Sequence, residues 1–126
     1  MRSIRNTLTS SIAVSAMLVA GLSGLAAGTA AAEPSASTLK EGQSLAFTRA
    51  KGNCLACHMI EGGESPGNIG PPLLLMKARF PDKAVLRAQI EDPMVRNPET
   101  SMPAFGKYQV LSSDEMDSLV EYIWTL

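Results

Sequence analysis

The sequence predicts an all-α domain of three or four short helices joined by long loops. Three observations lead there. Met116, Leu119, Val120, Ile123 and Trp124 recur at helical spacing near the C-terminus. No stretch alternates apolar and polar residues for long enough to build a sheet. The segments 62–72 and 97–106 are rich in Gly and Pro and carry neither period.

The first 32 residues are expected to stand apart from that domain. Arg2 and Arg5 make a basic start, a mostly apolar run follows from Ile12 to about Ala27, and Ala30-Ala31-Ala32 precedes Glu33. This order is that of a secretory signal with a small-residue cleavage site. A retained membrane anchor is the alternative. Ser15, Gly21, Ser23 and Gly24 dilute the run, which is short for a span of about 20 apolar residues. Cleavage after Ala32 gives a domain over residues 33–126, located in the periplasm and with no membrane span of its own.

Within that domain Thr38 is the expected cap of a first helix, with Glu41 three residues on. The helix runs to about Lys51, presents Leu45, Phe47 and Ala50, and stops at Gly52. Asp82 caps a second helix carrying Val85, Leu86, Gln89 and Ile90, and Pro93 ends it. Ser112 and Glu115 form a capping box for the last helix, with Leu111 and Met116 as its hydrophobic staple. Tyr122 falls off the apolar stripe and is expected to face solvent or another chain.

Composition narrows the function. Removal of the expected leader, which takes two of the 11 basic residues and none of the 12 acidic ones, leaves a formal charge of −3. No basic cluster remains, which argues against a nucleic-acid partner. The aromatics amount to three Phe, two Tyr and one Trp. So small a domain often depends on a staple such as a disulfide or a metal, and a covalent cofactor would also fill its core.

Cys54-Leu55-Ala56-Cys57-His58 supplies the chemistry. The C-x-x-C-H spacing is that of c-type haem attachment. Two thiols about a helical turn apart can each add to a haem vinyl group, and the following imidazole is placed to ligate the iron. His58 is the only histidine in the chain. A Cys54–Cys57 disulfide would also suit an exported protein. A thioredoxin-like pair needs a βαβ pattern that the sequence lacks, and a zinc site usually needs four ligands. One covalent haem c bound through Cys54 and Cys57 is the reading adopted.

A sixth iron ligand has several candidates. Met59 adjoins His58 and cannot easily reach the opposite face. Met116 belongs to the apolar stripe of the last helix. Met76 and Met94 are usable, although filling apolar gaps is the commoner role of methionine. Met102 lies in a polar loop between Pro98 and Gly106, where packing gives little reason for it. It is the favoured ligand opposite His58. Gly70-Pro71-Pro72 is either an ordinary turn or a segment whose carbonyl meets the free nitrogen of His58. Lys51, Lys77 and Arg79 are candidate partners for haem propionates, or plain solvated charges.

Three stretches together resemble a known family. They are Gly52 to His58, Pro66 to Leu73, and Asn97 to Gly106, with Leu111 to Glu115 and Val120 to Leu126 adding to the likeness. The chain resembles SoxX, the small cytochrome subunit of the SoxAX complex of bacterial sulfur oxidation, over roughly residues 42–126. The resemblance implies a class I cytochrome c fold wrapped around one covalent haem, with His58 and Met102 as axial ligands. It implies that the Pro71 carbonyl holds His58. It also implies a heterodimer with a SoxA-like haem subunit, which carries the catalysis of an L-cysteine S-thiosulfotransferase. This enzyme joins thiosulfate oxidatively to a cysteine of a sulfur-carrier protein. SoxX would accept the electrons and pass them to a small cytochrome, and the lone chain would not be catalytic. The competing expectation is a soluble monomeric periplasmic cytochrome c that shuttles electrons between other complexes. A haem enzyme or gas sensor with an open iron site would lack a plausible sixth ligand, and Met102 speaks against it.

Overall fold

A computed structural model describes residues 33–126. The expected leader and its cleavage point lie outside these residues. Four α-helices form the domain: α1 (Ala36–Phe47), α2 (Met76–Arg79), α3 (Lys83–Glu91) and α4 (Ser113–Trp124). Single 3-10 turns occupy Cys54–Ala56 and Pro93–Val95. Among the described residues there is no strand.

The local signals set most of the helix starts. Ser112 Oγ accepts from the Glu115 amide while Glu115 returns a bond to the Ser112 amide, so the capping box of α4 is complete. Leu111 and Met116, the staple pair, are both buried. The Asp82 carboxylate caps α3 by accepting from the Ala84 amide at 2.8 Å. At α1 the expectation is corrected: Ser35 is the cap, its hydroxyl accepting from the Thr38 amide at 3.1 Å. The helix ends at Phe47 and Thr48 closes it, with the Thr48 amide on the Ser44 carbonyl. Ala46, rather than Ala50, is the small residue in the core.

The main packing is α1 across α4. Gly42 makes it possible, since a β-carbon there would stand 2.6 Å from the β-carbon of Tyr122 and strike the Ser118 carbonyl. Tyr122 is therefore not on an outer face. It is 7% exposed and meets Phe47 edge to face, with ring centroids 6.3 Å apart. The close approach of the backbones widens the buried sector of α4 beyond its heptad-like stripe. Ser118 is buried in the same seam and donates to the Glu41 carboxylate at 2.9 Å.

Trp124 closes the far end of α4. Its indole donates to the Phe80 carbonyl at 2.8 Å. The ammonium groups of Lys77 and Lys83 lie 4.9 and 4.5 Å from its ring centre. The Met76 amide donates to the Leu126 carbonyl at 2.8 Å, so the C-terminus also anchors α2. The short α2 has no counterpart in the sequence pattern. It follows Leu75 in the left-handed region (φ 53°) and exists because this anchor and the buried Met76 hold it.

Candidate functional site

The Cys-x-x-Cys-His segment folds as one tight turn. Asn53 is left-handed (φ 46°) and starts it. The Cys54 carbonyl then accepts from the amides of both Cys57 (3.2 Å) and His58 (2.8 Å). Both thiols are free and half-buried. Burial pushes the Cys54 thiol up to about 11, with the Cys57 sulfur adding to the shift and a backbone hydrogen bond opposing it. An uncharged sulfur suits these surroundings, which favours a thioether over a reactive thiolate. Among the described residues no three His, Cys, Asp or Glu side chains gather as an ion site. A zinc reading has no donor set to stand on.

The Gly/Pro-rich loop lies back along this turn. The Gly67 amide donates to the Leu55 carbonyl and the Gly70 amide to the Cys57 carbonyl, both at 2.8 Å. The Leu73 amide reaches the Met59 carbonyl at 2.9 Å. Between these bonds, His58 Nδ1 stands 2.7 Å from the Pro71 carbonyl oxygen. A carbonyl only accepts, so Nδ1 carries a proton, and in the neutral ring that leaves the Nε2 lone pair for a metal. Gly70 lies against the ring: a β-carbon there would be 2.6 Å from Nδ1 and closer still to Cε1.

The Met102 loop is pinned to α3. The Phe105 amide donates to the Ile90 carbonyl and the Gly106 amide to the Glu91 carbonyl, each at 3.2 Å. The Met102 amide donates to Thr100 Oγ1 at 3.2 Å, and Lys107 pairs with Asp92 at 2.7 Å. Gln89 Nε2 lies 4.0 Å from the Met102 sulfur. Motif spacing gives no reason to single out Thr100 or Gln89. The one available signal was a polar Gln on the otherwise apolar face of α3.

These pieces border one cleft of about 740 Å³, within the usual 300–1,000 Å³ range of cofactor sites. Cys54, Cys57, His58, Pro71 and Met102 all line it. Its walls include Leu73, Phe80, Leu86, Ile90, Phe105 and Ile123. Met76 also lines it, but is 2% exposed and its sulfur accepts from Arg79 Nη1 at 3.5 Å. Met94 and Met59 are not among the lining residues, and Met116 is buried against a separate open groove between α3 and the start of α4.

The three cationic candidates part ways. Lys51 and Arg79 line the cleft, whereas Lys77 stacks on Trp124. Lys51 also pairs with Glu115 at 2.7 Å, and Arg79 donates to the Pro72 carbonyl at 2.8 Å.

The residues present fit haem c. The cleft is apolar, two cysteines stand on its wall one turn apart, and a neutral imidazole nitrogen and a thioether open onto it. The glycine at position 70 leaves no side chain between the loop and the His58 ring. A family model described as cytochrome c oxidase, cbb3-type, subunit III matches residues 37–123. No curated protein matches the chain. The fold is thus the small all-α cytochrome c fold, and no described helix is long and apolar enough to cross a membrane. The match spans most of the chain, from α1 to α4 and with the whole cleft inside it, and so this chain belongs to that family of c-type cytochrome domains, whose haem c serves electron transfer.

Proposed function

We propose that the chain is the electron-accepting subunit of a periplasmic thiosulfate-conjugating complex and carries one haem c. Cys54 and Cys57 would hold the haem as thioethers, and His58 and Met102 would be the ligands of its iron. The observation that supports this most is a convergence. The three stretches on which the SoxX resemblance rests, the last of them more than 20 residues beyond the second, all border the same cleft.

Haem c supplies a one-electron couple at the iron. The chain's own residues do the rest. The Pro71 carbonyl fixes the His58 tautomer and ring plane, which raises the basicity of the ligating nitrogen. Thr100 and the bonds to Ile90 and Glu91 hold the Met102 loop in place. Bound to iron, the Met102 thioether would favour the ferrous state and give a higher potential than nitrogen or thiolate ligands. The apolar walls Leu73, Phe80, Leu86, Ile90, Phe105 and Ile123 would keep water from a bound haem. Joining thiosulfate to a carrier cysteine forms one S–S bond and releases the thiol proton and two electrons, and a single haem c would pass those electrons on one at a time. A SoxA-like haem subunit carries that conjugation, and a small cytochrome receives the electrons afterwards. The basic, apolar, small-residue order of residues 1–32 supports export to the periplasm.

The test is purification of this chain from cells grown on thiosulfate. A second haem-bearing chain should come with it, and only the pair should conjugate thiosulfate to a carrier cysteine. Conjugation by this chain alone would overturn the division of labour. A chain that stays monomeric beside the candidate partner would instead support a soluble shuttle. The family match, which concerns a cytochrome c domain, is equally compatible with that second reading.

A further inference from the structure

We infer that Gln89 is a positioning residue for the Met102 thioether, its side-chain amide donating to the sulfur. The inference rests on the reading of Met102 as an axial ligand.

Of the α3 residues that line the cleft, Gln89 is the polar one, and it is half-buried. Leu86 and Ile90, its neighbours on the same face of α3, are 3% and 5% exposed and line the cleft beside it. The part of the amide turned from solvent among such side chains gains from a partner. Among the described residues the one side-chain hydrogen bond of Gln89 runs from Nε2 to Met102 Sδ at 4.0 Å, long but suited to the larger sulfur atom. The chemistry fixes which end of the amide is used. A thioether has no proton to give, so only the NH2 end can serve it.

Both partners are held from the backbone. Gln89 sits one residue before Ile90, whose carbonyl receives the Phe105 amide, and Met102 is three residues before Phe105. The Met102 amide is itself tied to Thr100 Oγ1. The spacing between amide and sulfur is therefore set by bonds close by on each side, not by two free side chains. A thioether sulfur has two lone pairs. One can go to a metal while the other accepts from Gln89. The amide then selects one rotamer of the thioether and resists its release.

The experiment uses ferric holoprotein titrated with imidazole, which competes for the position of Met102. Gln89→Leu removes the amide, and Gln89→Glu keeps the shape but has no proton to donate when ionised. Both should bind imidazole about fivefold more tightly than the parent, as expected for the loss of one modest hydrogen bond. The near-infrared band of sulfur-ligated ferric haem should persist without imidazole. Unchanged imidazole affinity in both variants overturns the inference while leaving Met102 as ligand. A change in Gln89→Leu alone assigns Gln89 to packing and overturns it too. If the parent protein lacks the near-infrared band, the Met102 reading fails first, and this inference falls with it.

Discussion

Gly42 and Tyr122 meet where α1 crosses α4, so closely that a β-carbon on Gly42 would stand 2.6 Å from that of Tyr122. The two helices are held at backbone contact by the missing side chain. The cleft depends on this crossing, because Leu119 and Ile123 of α4 form part of its wall.

Gly42→Ala should therefore force the helices apart. Overpacking of this kind costs about 1–3 kcal/mol. In a domain of this size each kcal/mol lowers the melting temperature by roughly 4–8 °C. Thermal unfolding of the holoprotein measures it, and Gly42→Val should be worse than Ala. A melting temperature unchanged in Gly42→Ala would mean that the crossing can slide at little cost.

Gly70→Ala should disturb His58 without touching its chemistry. The new methyl group would press on the imidazole and pull Nδ1 from the Pro71 carbonyl, now 2.7 Å away. Loss of such a partner typically weakens metal binding about 10–100-fold. In an acid titration of ferric holoprotein, the low-spin spectrum should give way to a high-spin one at higher pH than in the parent. An acid transition at the parent's pH would show that the ring keeps its ligand position unaided.

Met102→Ala should abolish the near-infrared band and lower the reduction potential. Met94→Ala should retain the band, since Met94 does not line the cleft. Met76→Ala should also retain it, with a stability loss of about 2–5 kcal/mol from the buried cavity. A band that survives Met102→Ala and disappears in Met76→Ala would transfer the ligand role.

The Lys51–Glu115 pair makes stability depend on pH. The hydrogen bond from Lys51 is the largest cause holding the Glu115 carboxyl below its ordinary value, followed by the Ser112 amide. A folded pKa that is depressed stabilises above the unfolded value, and the gain fades as pH falls through the folded one. Glu115→Gln keeps a capping-box residue but loses the ion pair. It should be less stable than the parent at neutral pH, and the gap should close on acidification through the carboxylate range. Denaturant unfolding at several pH values measures it. Separately, Ser112→Ala should cost about 1 kcal/mol by removing the cap.

Features settled within a few residues are legible along the chain. The start of α3 at Asp82 and the capping box of α4 follow from bonds that span two or three positions. The turn that carries Cys54, Cys57 and His58 is of the same local kind. Caps and turns of that reach form from neighbours alone, which is why the helical class could be read directly. The cap of α1 lies three residues before Thr38 because Ser35, Ser37 and Thr38 are all chemically able to cap, and the Ser35 hydroxyl bonds to both of the others there. Other relationships exist only once the core has formed. Tyr122 is buried because Gly42 admits the α4 backbone, a pairing across 80 positions that no helical period contains. The Pro71 carbonyl meets His58 because a loop without periodicity is folded back by three backbone bonds. Five methionines were open to the cofactor by sequence, and the cleft is bordered by only Met76 and Met102. Gln89 reaches Met102 through the docking of a loop on α3. Spacing along the chain specifies which atoms are close in sequence, but the contacts around the cleft are between distant segments, and only close packing of the core brings those together.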